Sequence, residues 1–147
     1  MRFNIILAGM VLTLGAMGLA HGADDVIAQR QALMKANGAA AKTIVQMAQG
    51  KQPYDAAAAQ AAFEKIAADM KVFPTLFPAG SDQGKTTASP AIWQDKAGFD
   101  AIAAKLEADA TAGAAAAPNG LDAIKASAAA VGGSCQSCHE KFRVKKS

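Results

Sequence analysis

The stretch Cys135-Gln136-Ser137-Cys138-His139 constrains this chain more than any other. It reads C-x-x-C-H, the spacing that attaches a c-type haem. Two thiols three residues apart share one side of a helical turn, so both reach the vinyl groups of one porphyrin. His139 follows directly, beneath the ring, where its imidazole can give the iron an axial nitrogen. Three other readings compete: a disulfide, a redox dithiol and half a zinc site. Zinc wants two more Cys or His ligands, and the only other histidine is His21, in a segment argued below to be removed. A thioredoxin-like dithiol follows a strand in a βαβ pattern, and no such strand is visible.

The N-terminus sets the compartment. Arg2 is a short positive start, and residues 5–20 are almost wholly apolar. Ala20-His21-Gly22 before Ala23 fits a small-x-small cleavage rule. Residues 1–22 therefore read as a secretory signal peptide, too short and too quickly followed by soluble sequence to be a membrane span. A retained N-terminal anchor is the alternative. Cleavage would leave 23–147, 125 residues, which is one domain with one core. Export agrees with the motif, because covalent haem attachment implies assembly outside the cytoplasm. With both cysteines used on haem, none is left for a disulfide.

Charge excludes more than it identifies. The chain has 15 Lys plus Arg against 12 Asp plus Glu. Without Arg2 the net charge is +2, and two haem propionates would bring it near zero. No basic run interleaved with aromatics points to nucleic acid.

The remaining sequence reads as four helices. The first runs from Asp24 to about Gln49, with Ile27, Gln31, Met34, Gly38, Ala41, Val45 and Ala48 on one stripe. Val26, Leu33, Ile44 and Met47 widen it, and Gly50 stops the helix. Asp55 caps the second, whose inward stripe is Ala59, Phe63, Ile66, Met70 and Phe73. Residues 73–89 read as a long loop anchored by Phe73, Leu76 and Phe77. Ser89-Pro90 starts a third helix with Ile92, Phe99, Ile102, Ala103, Leu106 and Ala110 inward, ending at Pro118-Asn119-Gly120. Trp93 packs at its edge. The fourth runs from about Leu121 to Lys145, and its stripe of Leu121, Ile124, Ala128, Val131, Cys135, Cys138 and Phe142 puts the cysteines on the buried seam. Gly132 and Gly133 cost this helix roughly 1 kcal/mol each relative to Ala; close approach of a flat ring would explain them, a fray or kink being the alternative.

No period-two strand appears. The expected fold is all-α: an antiparallel four-helix bundle with haem c on the C-terminal helix. Its interior is mostly Ala, so helices approach closely and the haem supplies much of the core.

C-x-x-C-H near the C-terminus of an all-helical exported chain resembles the class II c-type cytochromes: cytochrome c' and its low-spin relatives of the cytochrome c-556 type. The resemblance covers essentially residues 23–147. It rests on RQALMKANG at 30–38, KQPYD at 51–55, LFPAGS at 76–81, TTASPAIW at 86–93 and CQSCHEKFR at 135–143. It implies a four-helix bundle, one covalent haem c and residence in the periplasm. By position, Cys135 and Cys138 would hold the haem and His139 would be the proximal ligand. Arg30 and Gln31 match an RQ pair beside the haem, where Arg30 would neutralise a propionate. Thr87, Phe142 and Arg143 would line the ring.

The sixth ligand decides the function. With His21 removed, a bis-histidine haem is excluded. The resemblance puts Met34 on the distal side. Bound to iron, its thioether makes a closed low-spin site that raises the potential and suits single-electron transfer, the leading expectation. If Met34 only packs, the iron is five-coordinate, and nitric oxide or carbon monoxide can enter at an open distal face. LMKANG and KQPYD favour the low-spin branch, and GSDQGKTTASPAIW favours the other. A haem enzyme such as a peroxidase wants a distal acid–base group, for which Arg30 alone is thin support. The expected partners are redox proteins or small gases, with no nucleic acid and no membrane insertion after signal removal. Lys141, Arg143, Lys145 and Lys146 would steer an acidic redox partner or simply suit a helix C-terminus. Relatives pair through their first two helices, and the Ala-rich faces permit a homodimer.

Overall fold

A computed structural model describes residues 18–144. The expected signal at 1–22 lies outside the described residues up to position 17, and the chain is already helical across the expected cut after Gly22. Five α-helices follow in order: α1 (Gly18–Ala48), α2 (Ala56–Val72), α3 (Ala91–Gln94), α4 (Lys96–Ala116) and α5 (Leu121–Phe142). The four long ones form the bundle, with α2 against α1 and α4, and α5 against α4 and α1. This is the architecture that the amphipathic stripes require, because each apolar face needs two neighbours to cover it.

Local chemistry explains the boundaries. Gly50 takes φ +68° after α1, a conformation a Cβ would disfavour. Asp55 caps α2 by accepting from the Ala58 N–H at 2.9 Å. Ala59, Phe63, Ile66, Met70 and Phe73 are all buried, as their spacing predicts. Along α1, Ile44 and Met47 take the core positions, and Val45 is 38 % exposed, against expectation.

The expected third helix is two helices. Asp95 leaves helical geometry at φ −130°, ψ 61°, and its side chain accepts from the Gly98 N–H. It therefore caps α4 afresh, and the turn at Ser89-Pro90 starts only the four-residue α3. The fourth helix ends at Phe142, short of the expected Lys145. Arg143 turns extended and pairs antiparallel with Ala88 in an isolated bridge. The Ser89 N–H donates to Phe142 O and the Val144 N–H to Thr87 O, each at 2.9 Å. Backbone pairing to the long loop replaces the next helical turn.

Two contacts fix the ends of the bundle. Tyr54 donates its hydroxyl to the carbonyl of Ala117, tying the start of α2 to the α4–α5 turn. Gly113 on α4 faces Phe63 on α2 so closely that a Cβ would overlap the ring. By contrast, a Cβ on Gly132 or Gly133 would meet nothing within 4 Å, and both are exposed. No protein side chain or backbone approaches them closely enough to require glycine.

Candidate functional site

The bundle encloses one large cavity of about 530 Å³ between α1, α2, α4, α5 and the long loop. That size falls within the ~300–1,000 Å³ range of cofactor pockets. Cys135, Cys138, His139, Phe142 and Arg143 line it from α5. Their positions advance by three or four residues, so one helical face presents them all. Ile27, Arg30, Gln31, Met34, Asn37, Gly38 and Ala41 line it from α1. Thr86, Thr87 and Ala88 close it from the loop. Every site residue expected from the sequence therefore borders the same space.

The titratable groups suit metal and haem binding better than thiol redox chemistry. Both cysteines are free and half-buried. Burial pushes the Cys138 thiol up to about 11, with the neighbouring Cys135 adding to the effect; burial raises Cys135 as well. Catalytic dithiols need the opposite shift, toward thiolate. Burial first and the Arg143 charge second lower the His139 pKa, which favours the neutral imidazole that metals bind. Among the described residues, no group of three or more His, Cys, Asp or Glu side chains could hold a metal ion, so the half-zinc reading finds no second half there.

Arg30 is the most constrained side chain of the site. It is 5 % exposed. Its Nε donates to Leu76 O at 2.7 Å and its Nη1 to Ser81 O at 2.8 Å. Its Nη2 donates to the Ser81 hydroxyl. The guanidinium also stacks 4.0 Å from the centroid of Phe77. Among the described residues no carboxylate pairs with it, and burial lowers its pKa. A guanidinium has five N–H donors, so two remain for another acceptor. The sequence suggests the cation beside the cavity; the structure adds that Arg30 pins the long loop. Gln31 donates to Lys85 O at 2.8 Å and fastens the same loop further along.

An aromatic chain backs the cavity. Phe73, Phe77, Phe99 and Phe142 meet edge to face or tilted, with centroids 4.8–6.1 Å apart. Trp93 packs on Phe77 at 5.8 Å and donates its indole N–H to Pro78 O, a packing role. Lys141, expected in a basic docking end, donates to Asp95 Oδ2 at 2.6 Å; Lys145 and Lys146 lie outside the described residues.

Sequence reasoning missed Asn37. Its Nδ2 and Oδ1 are both buried without a protein hydrogen-bond partner, and the residue lines the cavity. An unpaired buried polar group costs about 1–3 kcal/mol, so such an amide marks a place where a partner enters. The visible signal was a polar residue three positions after Met34, at the edge of the cavity stripe.

A porphyrin fits these residues. The cavity wall is mainly apolar, C-x-x-C-H opens onto it, a buried cation lacks an anion, and a buried amide lacks a partner. Fold and site together define a helical-bundle c-type haem protein.

Comparison with known proteins agrees. The family model described as Cytochrome C' matches residues 25–143. Cytochrome c' of Rhodopseudomonas palustris (strain ATCC BAA-98 / CGA009) is 46 % identical over all of both chains. A cytochrome c-556 of Agrobacterium fabrum is 35 % identical over 99 % of each. The solved cytochrome c' of Rhodopseudomonas palustris superposes with a TM-score of 0.79 at 47 % identity, covering 84 % of this chain and 98 % of that one. A nitric oxide complex of a cytochrome c prime variant from Alcaligenes xylosoxidans superposes at 0.75 and 28 % identity, covering 84 % of this chain and 97 % of that one. The chain belongs to the cytochrome c' family. It is thus a haem protein of a non-enzymatic family that carries one covalent haem c.

Proposed function

We propose that this protein is exported to the periplasm, loses residues 1–22, and holds one haem c whose distal face is open to a small neutral diatomic such as nitric oxide or carbon monoxide. Cys135 and Cys138 carry the two thioether bonds, and His139 is the proximal ligand. The haem supplies an iron that can exchange one electron and bind a diatomic. Arg30, with two N–H donors unused, faces a propionate; Phe142 and Arg143 flank the proximal side; Gln31 and Thr87 hold the edge where the long loop closes. Met34 packs over the ring. The observation that carries this reading is the full-length similarity to cytochrome c' at 46 %, against 35 % for the c-556 relative. The nitric oxide complex of a structural relative supports it.

A second reading follows from Met34. It borders the same cavity as His139, and a thioether bound to iron would make a closed, six-coordinate electron carrier. Titrating the ferrous holoprotein with carbon monoxide separates the two. Stoichiometric uptake with a shifted Soret band supports the open face. No uptake in wild type, with uptake restored in Met34→Ala, supports the carrier. Mass measurement of the secreted protein tests the processing, with an N-terminus at Ala23 expected.

A further inference from the structure

We propose that Asn37 is the polar contact for the diatomic ligand, donating its Nδ2–H to the ligand's outer atom. The proposal rests on the open-face reading above. Asn37 sits on α1 three residues beyond Met34 and four before Ala41, and all three line the large cavity. Among the described residues it is the one side chain with both polar atoms buried and unpaired.

Of the other polar groups on the α1 wall, Lys35 is exposed and the remaining two already hold the long loop. Arg30 holds Leu76 and Ser81, and Gln31 holds Lys85. The same cavity is lined by apolar side chains of α1 and α2, among them Met34, Ala41, Ile66 and Met70. A buried amide replaced by an apolar group of the same shape is usually neutral or stabilising when the amide has no partner. An asparagine here is therefore a cost to the fold unless something entering the cavity accepts from it. The porphyrin face is apolar, and a diatomic on the iron presents a dipole to that space. In a low-dielectric cavity a single donor is strengthened.

Asn37→Leu, close in shape and without the donor, tests this in the holoprotein. A hydrogen bond to the outer atom favours electron donation from iron into the ligand and weakens its internal bond. Its loss should raise the carbon–oxygen stretching frequency of the ferrous carbon monoxide adduct. Carbon monoxide should leave about fivefold faster, the worth of one ordinary hydrogen bond. The melting temperature should stay level or rise. Asn37→Ala should move the frequency and the rate the same way. If wild type binds carbon monoxide but neither variant changes frequency or rate, Asn37 does not contact the ligand. If wild type takes up no carbon monoxide, the open-face reading fails and the role of Asn37 with it. If neither variant retains haem, Asn37 is structural, which also overturns the proposal.

Discussion

The guanidinium of Arg30 on α1 lies 4.0 Å above the ring of Phe77 in the long loop, and both side chains are buried. The contact joins the first helix to a segment nearly fifty residues later. It coincides with three hydrogen bonds from the same guanidinium to Leu76 and Ser81. A planar fork that donates in several directions while stacking on a ring is a property of arginine and not of lysine.

Arg30→Lys should therefore weaken the fold although it keeps the charge. Loss of the stack and of two charge-assisted hydrogen bonds costs about 3 kcal/mol. Thermal unfolding of the haem-loaded variant checks this. A change within about 0.5 kcal/mol, the range of ordinary surface substitutions, would show that the loop is held by its aromatic anchors alone.

Gly113→Ala sets two effects against each other. Helix propensity favours alanine by about 1 kcal/mol. The new methyl would overlap Phe63, which is fully buried between α2 and α4. Overpacking a tight core costs about 1–3 kcal/mol. Packing should win, leaving the variant destabilised by about 1 kcal/mol in urea titration. A more stable variant would mean that α2 and α4 can part at no cost. Gly132→Ala on α5 meets nothing and should be stabilising.

The acid limb of stability involves Asp95. A hydrogen bond from Lys141, then one from the Gly98 N–H, holds its carboxyl below the ordinary 3.8. A carboxylate with a depressed folded pKa contributes stability that is fully present above its unfolded pKa and lost as pH falls through the folded one. Wild type should thus lose stability below about pH 4. Asp95→Asn should be less stable at neutral pH and lose less on acidification. Parallel curves of midpoint against pH would remove Asp95 from that limb.

The large-scale plan was legible because it depends on periodicity. The stripe through Ile124, Ala128, Val131 and Phe142 is buried as its spacing predicts, and so is the stripe of α2. The shared placement of Cys135, Cys138 and His139 on the cavity wall was legible because their spacing keeps them on one helical face. Boundaries that depend on partners far along the chain were not. Asp95 reads as an ordinary helical residue until its carboxylate is seen capping α4 and meeting Lys141. Phe142 is the last helical residue because its carbonyl accepts from the Ser89 N–H while the Val144 N–H donates to Thr87 O, and nothing local in that stretch signals it. Asn37 stands beside Gly38 at the edge of the α1 stripe and is not one of the positions that define it, so its unpaired amide became visible only once burial was known.

Covalent attachment predicts a simple fractionation. Acidified organic solvent should extract no haem from wild type. It should extract all of it from Cys135→Ser/Cys138→Ser, if that variant takes up haem at all. Each single variant should keep one bond and stay coloured. Extraction from wild type would refute the role of C-x-x-C-H.

Resonance Raman spectroscopy of the ferrous holoprotein, with no added ligand at neutral pH, reads out directly whether the distal face of the iron is open. An open face gives the marker bands of a five-coordinate, high-spin haem, unchanged in kind by Met34→Ala. Six-coordinate, low-spin bands that become high-spin in Met34→Ala would contradict it and make Met34 the sixth ligand.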